Sequence, residues 1–214
     1  MRLSAIPKTV MAGLDPAIHV FRVSVLAVIG VILGACGAQS ENVRTECEAG
    51  EEYFPRGTFQ NRYGNAGESY ARRLRNAGEP SLSCARATNT EAYRLLWIPS
   101  FSSVVVVRIL SEMRDYRLEA TVMSPANEQI LSKITRPLTV AEWHEFKVVM
   151  SGTSFWSMTP TSDELPATDG WRWIIEGQSG SRYHAVDRQV RSGTDYEKLG
   201  LRFLQLAGIP PSGR

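Results

Sequence analysis

Four consecutive segments in the middle of the chain have the composition of β-strands, and they constrain the fold more than any other feature. Residues 92–98, 103–110, 116–123 and 129–135 are rich in β-branched and aromatic side chains or alternate in polarity, as strands with a buried face do. The connections between them are short and contain turn-forming residues. Short connections between successive strands favour antiparallel pairing, so the sequence predicts an antiparallel meander.

A β-hairpin and three helices are predicted on either side of this meander. The hairpin comprises residues 171–176 and 182–187, which are joined by a glycine-containing turn. A short helix is predicted over residues 68–76, before the meander. Two longer helices are predicted to begin after Thr139 and Thr194, because a glutamate follows each threonine three residues later, which is the pattern of a capping box.

The order of these elements predicts one α+β domain over residues 67–214. We expect an antiparallel sheet of about six strands with two to three helices packed on one face. Apolar residues recur at helical spacing after both threonines and predict the buried helix faces. These residues are Val140, Trp143, Phe146 and Met150 in the first of the two helices and Tyr196, Leu199, Phe203 and Leu206 in the second.

The N-terminal region has the layout of an export signal. Arg22 is followed by an apolar run over residues 23–33 and then by small residues directly before Cys36, the arrangement found in secretory signals. In addition, Leu33, Ala35 and Cys36 resemble the bacterial lipobox, in which the cysteine is lipidated and the chain is cleaved before it. The sequence therefore predicts that Cys36 becomes the lipidated N-terminus of the mature protein.

Further residues define the predicted signal, residues 1–35, and its surroundings. The apolar run is shorter than the roughly 20 residues of a membrane-spanning helix, so an uncleaved anchor and ordinary secretion are the weaker alternatives.

Residues 10–21 resemble a peptide that recurs at the start of many unrelated bacterial proteins, which favours a translation start downstream of Met1. Gly37 differs from the aspartate that often signals inner-membrane retention, so we expect an outer-membrane anchor facing the periplasm. Residues 36–66 are polar and predict a flexible tether.

Two cysteines remain once Cys36 is assigned to the lipid. In an oxidising periplasm an even pair favours a disulfide, here between Cys47 and Cys84. Two free thiols or half of a metal site are the alternatives. A metal site is disfavoured because neither cysteine has a second ligand at the spacing of zinc sites, and we predict no bound metal or cofactor.

One group of residues could support catalysis, although its spacing is unfavourable. His184 lies in the predicted hairpin with Glu176 and Asp187, and a histidine beside a carboxylate can act as a general base. Because side chains alternate across a strand, His184 and Asp187 are expected on opposite faces. The chain contains no nucleophile elbow, phosphate-binding loop or dinucleotide fingerprint. We therefore assign no catalytic residue and keep a periplasmic hydrolase with His184 as its base as an alternative function.

The charge of the chain gives no reason to expect a nucleic-acid partner. The chain has 24 lysines and arginines against 22 aspartates and glutamates, and cleavage before Cys36 leaves equal numbers of the two. No basic run or stripe is present, whereas nucleic-acid-binding domains concentrate basic residues. The expected partners are the membrane, through the lipid anchor, and an unidentified envelope protein or glycan.

Short motifs are distributed over most of the predicted domain. They comprise residues 79–82, 91–97, 107–108, 138–142, 155–156, 169–177 and 183–188. Together they resemble a family of uncharacterised bacterial envelope lipoproteins, and the similarity extends from about Ser69 to Ala207. That family has no assigned activity, so the resemblance implies export and fold boundaries. The leading interpretation, a lipid-anchored binding or structural module, comes from the lack of catalytic motifs in an exported domain. A periplasmic enzyme inhibitor, acting through a loop at residues 159–168, is a further alternative.

Overall fold

The computed structural model describes residues 52–85, 90–126, 128–162, 171–190 and 192–211. Within these ranges the helices are α1 (Gly67–Asn76), α2 (Val140–Gly152) and α3 (Asp195–Ala207). The strands are β1 (Gln60–Asn61), β2 (Gly64–Asn65), β3 (Thr90–Pro99), β4 (Val104–Glu112), β5 (Asp115–Met123), β6 (Ile130–Pro137), β7 (Trp171–Ser179) and β8 (Arg182–Gln189). None of the helices in these ranges is long enough and apolar enough to cross a membrane.

Six strands form one antiparallel sheet in the order β6-β5-β4-β3-β7-β8. The sheet and the three helices confirm the predicted α+β fold. Strands β3 to β6 form the predicted meander, and β7 and β8 form the predicted hairpin. The hairpin pairs with β3 rather than with β6, so the first strand of the meander lies inside the sheet. The small strands β1 and β2 pair separately with each other.

Helices α2 and α3 pack on one face of the sheet, as predicted. Their buried side chains, such as Trp143 and Phe203, form an apolar cluster with strand residues such as Tyr93 and Trp173. Of the residues predicted to be buried on these two helices, Val140 is the exception, because its side chain is 61% exposed. The other seven predicted positions are buried, since the helical spacing of apolar residues correctly marks the inner face.

The closest approach of α3 to the sheet lies at Gly200. The indole of Trp173 in β7 lies directly against this glycine and is fully buried. A Cβ atom at position 200 would overlap the six-membered ring of Trp173. The missing side chain at Gly200 therefore sets the distance between α3 and β7.

The opposite face of the sheet is covered by the N-terminal part of the domain. Tyr53, Phe54 and Phe59 precede α1, and together with Tyr70 and Leu74 of α1 they belong to a second apolar cluster. Three of the ring pairs in this segment are in edge-to-face contact, an arrangement that stabilises aromatic clusters beyond simple burial. We call residues 53–85 the N-terminal layer.

The N-terminal layer shortens the predicted tether and places the third helix on the second face of the sheet. The tether predicted over residues 36–66 cannot include residues 53–59, whose three aromatic side chains are at most 6% exposed; residues 36–51 lie outside the described ranges. In addition, α1 lies on the opposite face of the sheet from α2 and α3. Both differences have one cause, because the aromatic residues of this segment are separated by polar residues and glycines and produce no periodic pattern.

Both predicted helix caps are present. The Thr139 hydroxyl accepts from the Glu142 N–H, and the Glu142 carboxylate accepts from the Thr139 N–H, which completes the capping box. Arg136 also donates to Glu142, and this hydrogen bond, together with those from Thr139, lowers the pKa of Glu142 to about 2. At the start of α3, the Thr194 hydroxyl accepts from the Glu197 N–H, while the Glu197 carboxylate accepts from the backbone N–H that precedes the cap.

Replacing Glu142 by Gln is expected to lower the free energy of unfolding by about 1 kcal/mol at pH 7, the usual size of a capping interaction. Folding lowers the pKa of Glu142 from an ordinary value of 4.5, so its contribution is present above that value and is lost as the pH falls toward 2. Urea unfolding of the wild type and the variant at pH 7 and pH 3 measures this. The difference between them should shrink at pH 3, and a constant difference would contradict the electrostatic explanation.

The two edge strands of the sheet, β8 and β6, differ in whether other residues pair with them. Beside β8, the Asp187 N–H donates to the Pro160 carbonyl at 2.7 Å, and Arg188 donates to the Thr159 carbonyl at 2.6 Å. Strand β6, at the other edge, is exposed or half-buried along its length. It contains Lys133 and Pro137, residue types that discourage pairing with another chain.

Candidate functional site

His184 lies on the face of the sheet that carries α2 and α3. The centroid of its ring is 5.2 Å from that of Phe155 and 6.4 Å from that of Trp156. The ring also donates to the backbone carbonyl of Met158, and burial lowers the pKa of the imidazole. His184 is therefore a neutral side chain packed among aromatic rings at neutral pH.

The structure does not bring His184 together with Glu176 or Asp187. His184 is opposite Gly177 in the β7–β8 register, whereas Glu176 is opposite Ala185. Because side chains alternate across a strand, both carboxylates point to the face covered by the N-terminal layer, and the imidazole points to the other face. The separation of His184 and Asp187 expected from strand alternation is confirmed, and the three residues form no catalytic group.

Glu176 belongs to a row of charged side chains that crosses the sheet beneath the N-terminal layer. Glu119 in β5 is opposite Arg108 in β4, Arg108 is opposite Arg94 in β3, and Arg94 is opposite Glu176 in β7. Ion pairs join Arg108 to Glu119 and Arg94 to Glu176. Arg94 and Glu176 are completely buried. We call these four residues, with Glu79 described next, the charged row.

Glu79 enters the charged row from the N-terminal layer, between the two arginines. Its carboxylate oxygen lies 3.3 Å from Arg94 Nη1 and 3.2 Å from Arg108 Nε. Arg94 also donates to the Pro80 carbonyl at 2.7 Å, and the Tyr53 hydroxyl donates to the same carbonyl at 2.8 Å. Like charges directly opposite each other on neighbouring strands are destabilising, so Glu79 allows two arginines to be neighbours and attaches the layer to the sheet.

The contacts of Glu176 in the charged row hold the sheet together. Burial raises the pKa of Glu176, and Arg94 opposes that rise. Glu176 accepts from Arg94 Nε on one side and from the Tyr183 hydroxyl, at 2.9 Å, on the other. A carboxylate that is fully buried and hydrogen bonded through both oxygens is out of reach of a substrate.

A second polar cluster, which sequence reasoning missed, joins α2 to β3. The Tyr93 hydroxyl donates to Glu91 at 2.8 Å, and Lys147 donates to both Glu91 and Tyr93. The side chains of Lys147 and Glu91 are 32% and 33% exposed. Burial raises the pKa of Tyr93, so its hydroxyl stays protonated at neutral pH. The cluster therefore contains a protonated hydroxyl and an ion pair at the junction of α2 and β3.

Of the predicted lipid and disulfide positions, Cys84 alone lies within the described ranges. Its side chain is buried, and its Sγ atom is 3.8 Å from the Glu52 carbonyl oxygen. Cys36 and Cys47 lie outside the described residues. Lipidation of Cys36 and the pairing of Cys47 with Cys84 therefore stay predictions.

The loop considered for an inhibitor, residues 159–168, is described as far as residue 162. Its first two residues, Thr159 and Pro160, accept hydrogen bonds from β8. The start of this loop is therefore held along the edge of the sheet and does not project from the domain. Residues 163–168 lie outside the described ranges.

A groove on the outer surface of the helical layer is the candidate binding site. It lies between α2 and α3, has a volume of about 910 Å³, and is lined mainly by apolar atoms. Binding sites for small molecules typically have volumes of about 300 to 1,000 Å³ and a few polar groups within an apolar lining. The apolar residues of the lining are Val149 from α2, Leu201 from α3, and Ile209, Pro210 and Pro211 after α3.

Two ion pairs contribute the charged part of this lining. Lys198 donates to Asp195 at 2.8 Å, and both side chains are more than half exposed. Arg202 lies 2.5 Å from Glu145, but the Arg202 side chain is 14% exposed whereas that of Glu145 is 67% exposed. The Nε atom of Arg202 is buried and makes no hydrogen bond to any of the described residues. Arg202 is thus the cation inside the groove, and Glu145 pairs with it from the solvent side.

Sequence reasoning did not identify the groove. Leu201 lies outside the predicted apolar face of α3, and Val149 lies outside that of α2. The available signals were these two apolar residues on the outer sides of their helices, together with Ile209 and the two prolines that follow it. Single apolar residues on a protein surface are common, and three separate segments must meet before these residues form a concave surface.

The described part of the chain contains no group of three histidine, cysteine, aspartate or glutamate side chains placed to hold a metal ion. The geometry of the described residues therefore offers the groove, which is open to solvent, the charged row, which is largely buried, and the polar cluster between α2 and β3. No protein-family model matches the chain, and no curated protein is significantly similar to it, so the candidate site is assigned from its own geometry.

Proposed function

We propose that the chain is a lipid-anchored protein of the bacterial cell envelope whose α+β domain binds a partner through the groove between α2 and α3. The observation that carries the proposal is the groove itself. It is a concave, mainly apolar surface on a domain whose candidate catalytic residues do not converge. Concave, mainly apolar surfaces with a few polar groups are the usual form of a ligand-binding site.

The proposed anchor depends on the sequence around Cys36. Lipidation of this cysteine and acylation of the new N-terminus would attach more than one acyl chain, and two or more chains hold a protein stably to a membrane. If fully extended, the segment from Cys36 to Tyr53, the first buried aromatic residue, would span roughly 55 Å. The domain would then lie in the periplasm, attached to the outer membrane.

The proposed disulfide would attach this segment to the domain. The sulfur of Cys84 is close to the backbone of Glu52, and Cys47 precedes Glu52 by five residues. Five residues span at most roughly 17 Å, so Cys47 is close enough in the chain to pair with Cys84. The periplasm is oxidising and favours such a bond.

The two alternatives have less support. A hydrolase with His184 as its base lacks the nearby carboxylate that would orient the imidazole, because Glu176 and Asp187 point to the other face of the sheet. An inhibitor would need a projecting loop, whereas Thr159 and Pro160 are hydrogen bonded to β8. Neither alternative makes use of the groove.

The anchor is tested by the intact mass of protein extracted from membranes, measured before and after reduction. We expect a chain that begins at acylated Cys36 and gains two hydrogen atoms on reduction. The variant Cys36→Ser should lack the acyl chains and keep residues 1–35, because cleavage follows lipidation of this cysteine. In the wild type, a mass that retains residues 1–35 would refute the anchor and the periplasmic location.

The binding site is tested separately by photo-crosslinking in intact cells. A photo-reactive amino acid at Leu201, inside the groove, should give a discrete product that disappears in the variant Val149→Asp. The same amino acid at Val148, which is 71% exposed on α2 but outside the groove, is the control. Identical products from positions 148 and 201 would show that the groove is not the binding surface.

A further inference from the structure

The groove is mainly apolar and its lining residues follow α3, as those of a site for an extended chain would. Its lining residues on α3 extend from Asp195 to Gln205, and ten residues of helix correspond to roughly 15 Å. Val149, Leu201 and Ile209 are partly buried against the main apolar cluster, so the apolar surface of the groove is continuous with the core. An alkyl chain placed along this surface would be removed from water, which stabilises binding with every methylene group buried.

One cation lies within this apolar surface. Arg202 donates through Nη1 to Gln205 at 2.8 Å and through Nη2 to Glu145 at 2.5 Å, while its Nε–H is buried and has no acceptor within the described part of the chain. A buried N–H without an acceptor is uncommon in proteins and costly. A carboxylate at this position could accept from Nε and Nη2 together, which is the favoured geometry between arginine and a carboxylate.

Glu145 is a replaceable partner for Arg202. Its side chain is 67% exposed, and ion pairs that involve a solvent-exposed side chain are weak. The Glu145 carboxylate can therefore turn into solvent when a second carboxylate reaches Arg202. The Lys198–Asp195 pair is exposed on both sides and adds no comparable interior charge.

We propose that the groove binds one long-chain fatty acid as a monomer, with the alkyl chain along Val149, Leu201 and Ile209 and the carboxylate on Arg202 in place of Glu145. The inference names the ligand of the groove and so rests on the proposed function. Charge complementarity selects this occupant, because the groove combines an apolar lining with a single interior cation. A fatty acid matches this combination, because it has an apolar chain and a single negative charge.

The test uses the mature chain, residues 36–214, with Cys36→Ser, which lacks both the signal and the acyl chains and so requires no detergent, and dodecanoate below its micellar concentration. Isothermal titration calorimetry should show one dodecanoate bound per chain, and methyl dodecanoate, which lacks the charge, should bind about tenfold more weakly. Arg202→Gln should weaken dodecanoate binding by about tenfold, as expected for a lost charged hydrogen bond. The same variant should leave the binding of the methyl ester unchanged.

Two further variants separate the site from effects on folding. Glu145→Gln removes the internal competitor and should tighten dodecanoate binding severalfold, an increase that an unfolded or loosened variant would not show. Val149→Asp places a charge in the apolar lining and should abolish binding. Val148→Asp changes the neighbouring exposed residue in the same way. The affinity of this variant for dodecanoate should equal that of the protein with Val148.

Three results would overturn the fatty-acid assignment. The first is equal binding of dodecanoate and its methyl ester with no effect of Arg202→Gln. The second is binding to vesicles of phosphatidylglycerol without binding of monomeric dodecanoate. The third is an absence of dodecanoate binding while the crosslink from Leu201 to an envelope protein persists. In this third case the groove binds a protein segment, and the proposed function stands although the ligand assignment fails.

Discussion

Replacing Arg94 by Met should lower the free energy of unfolding at pH 7 by about 3 to 5 kcal/mol, the usual result of removing one partner from a buried ion pair. The methionine fills a similar volume but leaves Glu176 and Glu79 in the charged row without the cation between them. Arg94 is fully buried and forms ion pairs with both carboxylates. Urea unfolding monitored by tryptophan fluorescence measures the change.

The pH dependence of this loss identifies its cause. Burial already raises the pKa of Glu176, and Arg94 is the largest opposing influence. Without Arg94 the folded state binds a proton at a pH where the unfolded chain does not, so the stability of the variant falls as the pH rises from about 4.5 to 7. The loss should therefore be smaller at pH 4.5. A loss of equal size at both pH values would assign the effect to packing.

Arg117→Met is the matched control for Arg94→Met. Arg117 lies on the same face of the sheet and pairs with Glu119, but its side chain is 41% exposed. Exposed ion pairs contribute about 0 to 1 kcal/mol, so the control should lose less than 1 kcal/mol. If both variants lose the same amount, the burial of Arg94 has no special effect.

The second large effect is expected at Gly200. Replacing glycine by alanine inside a helix ordinarily increases stability by about 0.5 to 1 kcal/mol, because the unfolded chain loses conformational freedom. At Gly200 the added methyl group would overlap the buried ring of Trp173, and overpacking of this kind costs about 1 to 3 kcal/mol or more. We expect Gly200→Ala to reduce the free energy of unfolding by about 3 kcal/mol, measured by urea unfolding.

Gly152→Ala is the matched control for Gly200→Ala. Gly152 is also helical, and a Cβ atom there would have no heavy atom within 4 Å. This variant should therefore gain about 0.5 to 1 kcal/mol. A loss at both glycines would show that the close contact with Trp173 is not the cause.

The strands and long helices were predictable because local patterns determine them. Strand β4 is recognisable from its run of valines, and α2 and α3 begin at Thr139 and Thr194, where the capping residues act within one helical turn. The positions of Phe146 and Phe203 in the core follow from helical spacing. In each case the residues that define the element are neighbours in the chain, so the sequence contains the whole signal.

The second covered face of the sheet was not predictable in the same way. Arg94, Arg108, Glu119 and Glu176 are charged, and charged residues at alternate positions normally indicate a solvent-exposed face. Arg94 and Glu176 are fully buried, and Arg108 and Glu119 partly buried, because Glu79 and the aromatic residues of the N-terminal layer cover them. The groove was missed for a related reason, since its lining depends on how α2, α3 and the residues after α3 meet.

The N-terminal layer also has a consequence for the order of folding. Its attachment to the sheet depends on residues made much later, since Tyr70 donates to Asp187, 117 positions along the chain, and Arg94 in the sheet beneath it pairs with Glu176, 82 positions along. Contacts between distant residues form slowly, because a long loop must close first. During synthesis the layer precedes the hairpin that completes its docking face, so Tyr53, Phe54 and Phe59 stay exposed until β7 has paired with β3. A chaperone that recognises exposed aromatic segments would therefore bind this chain near the start of the domain.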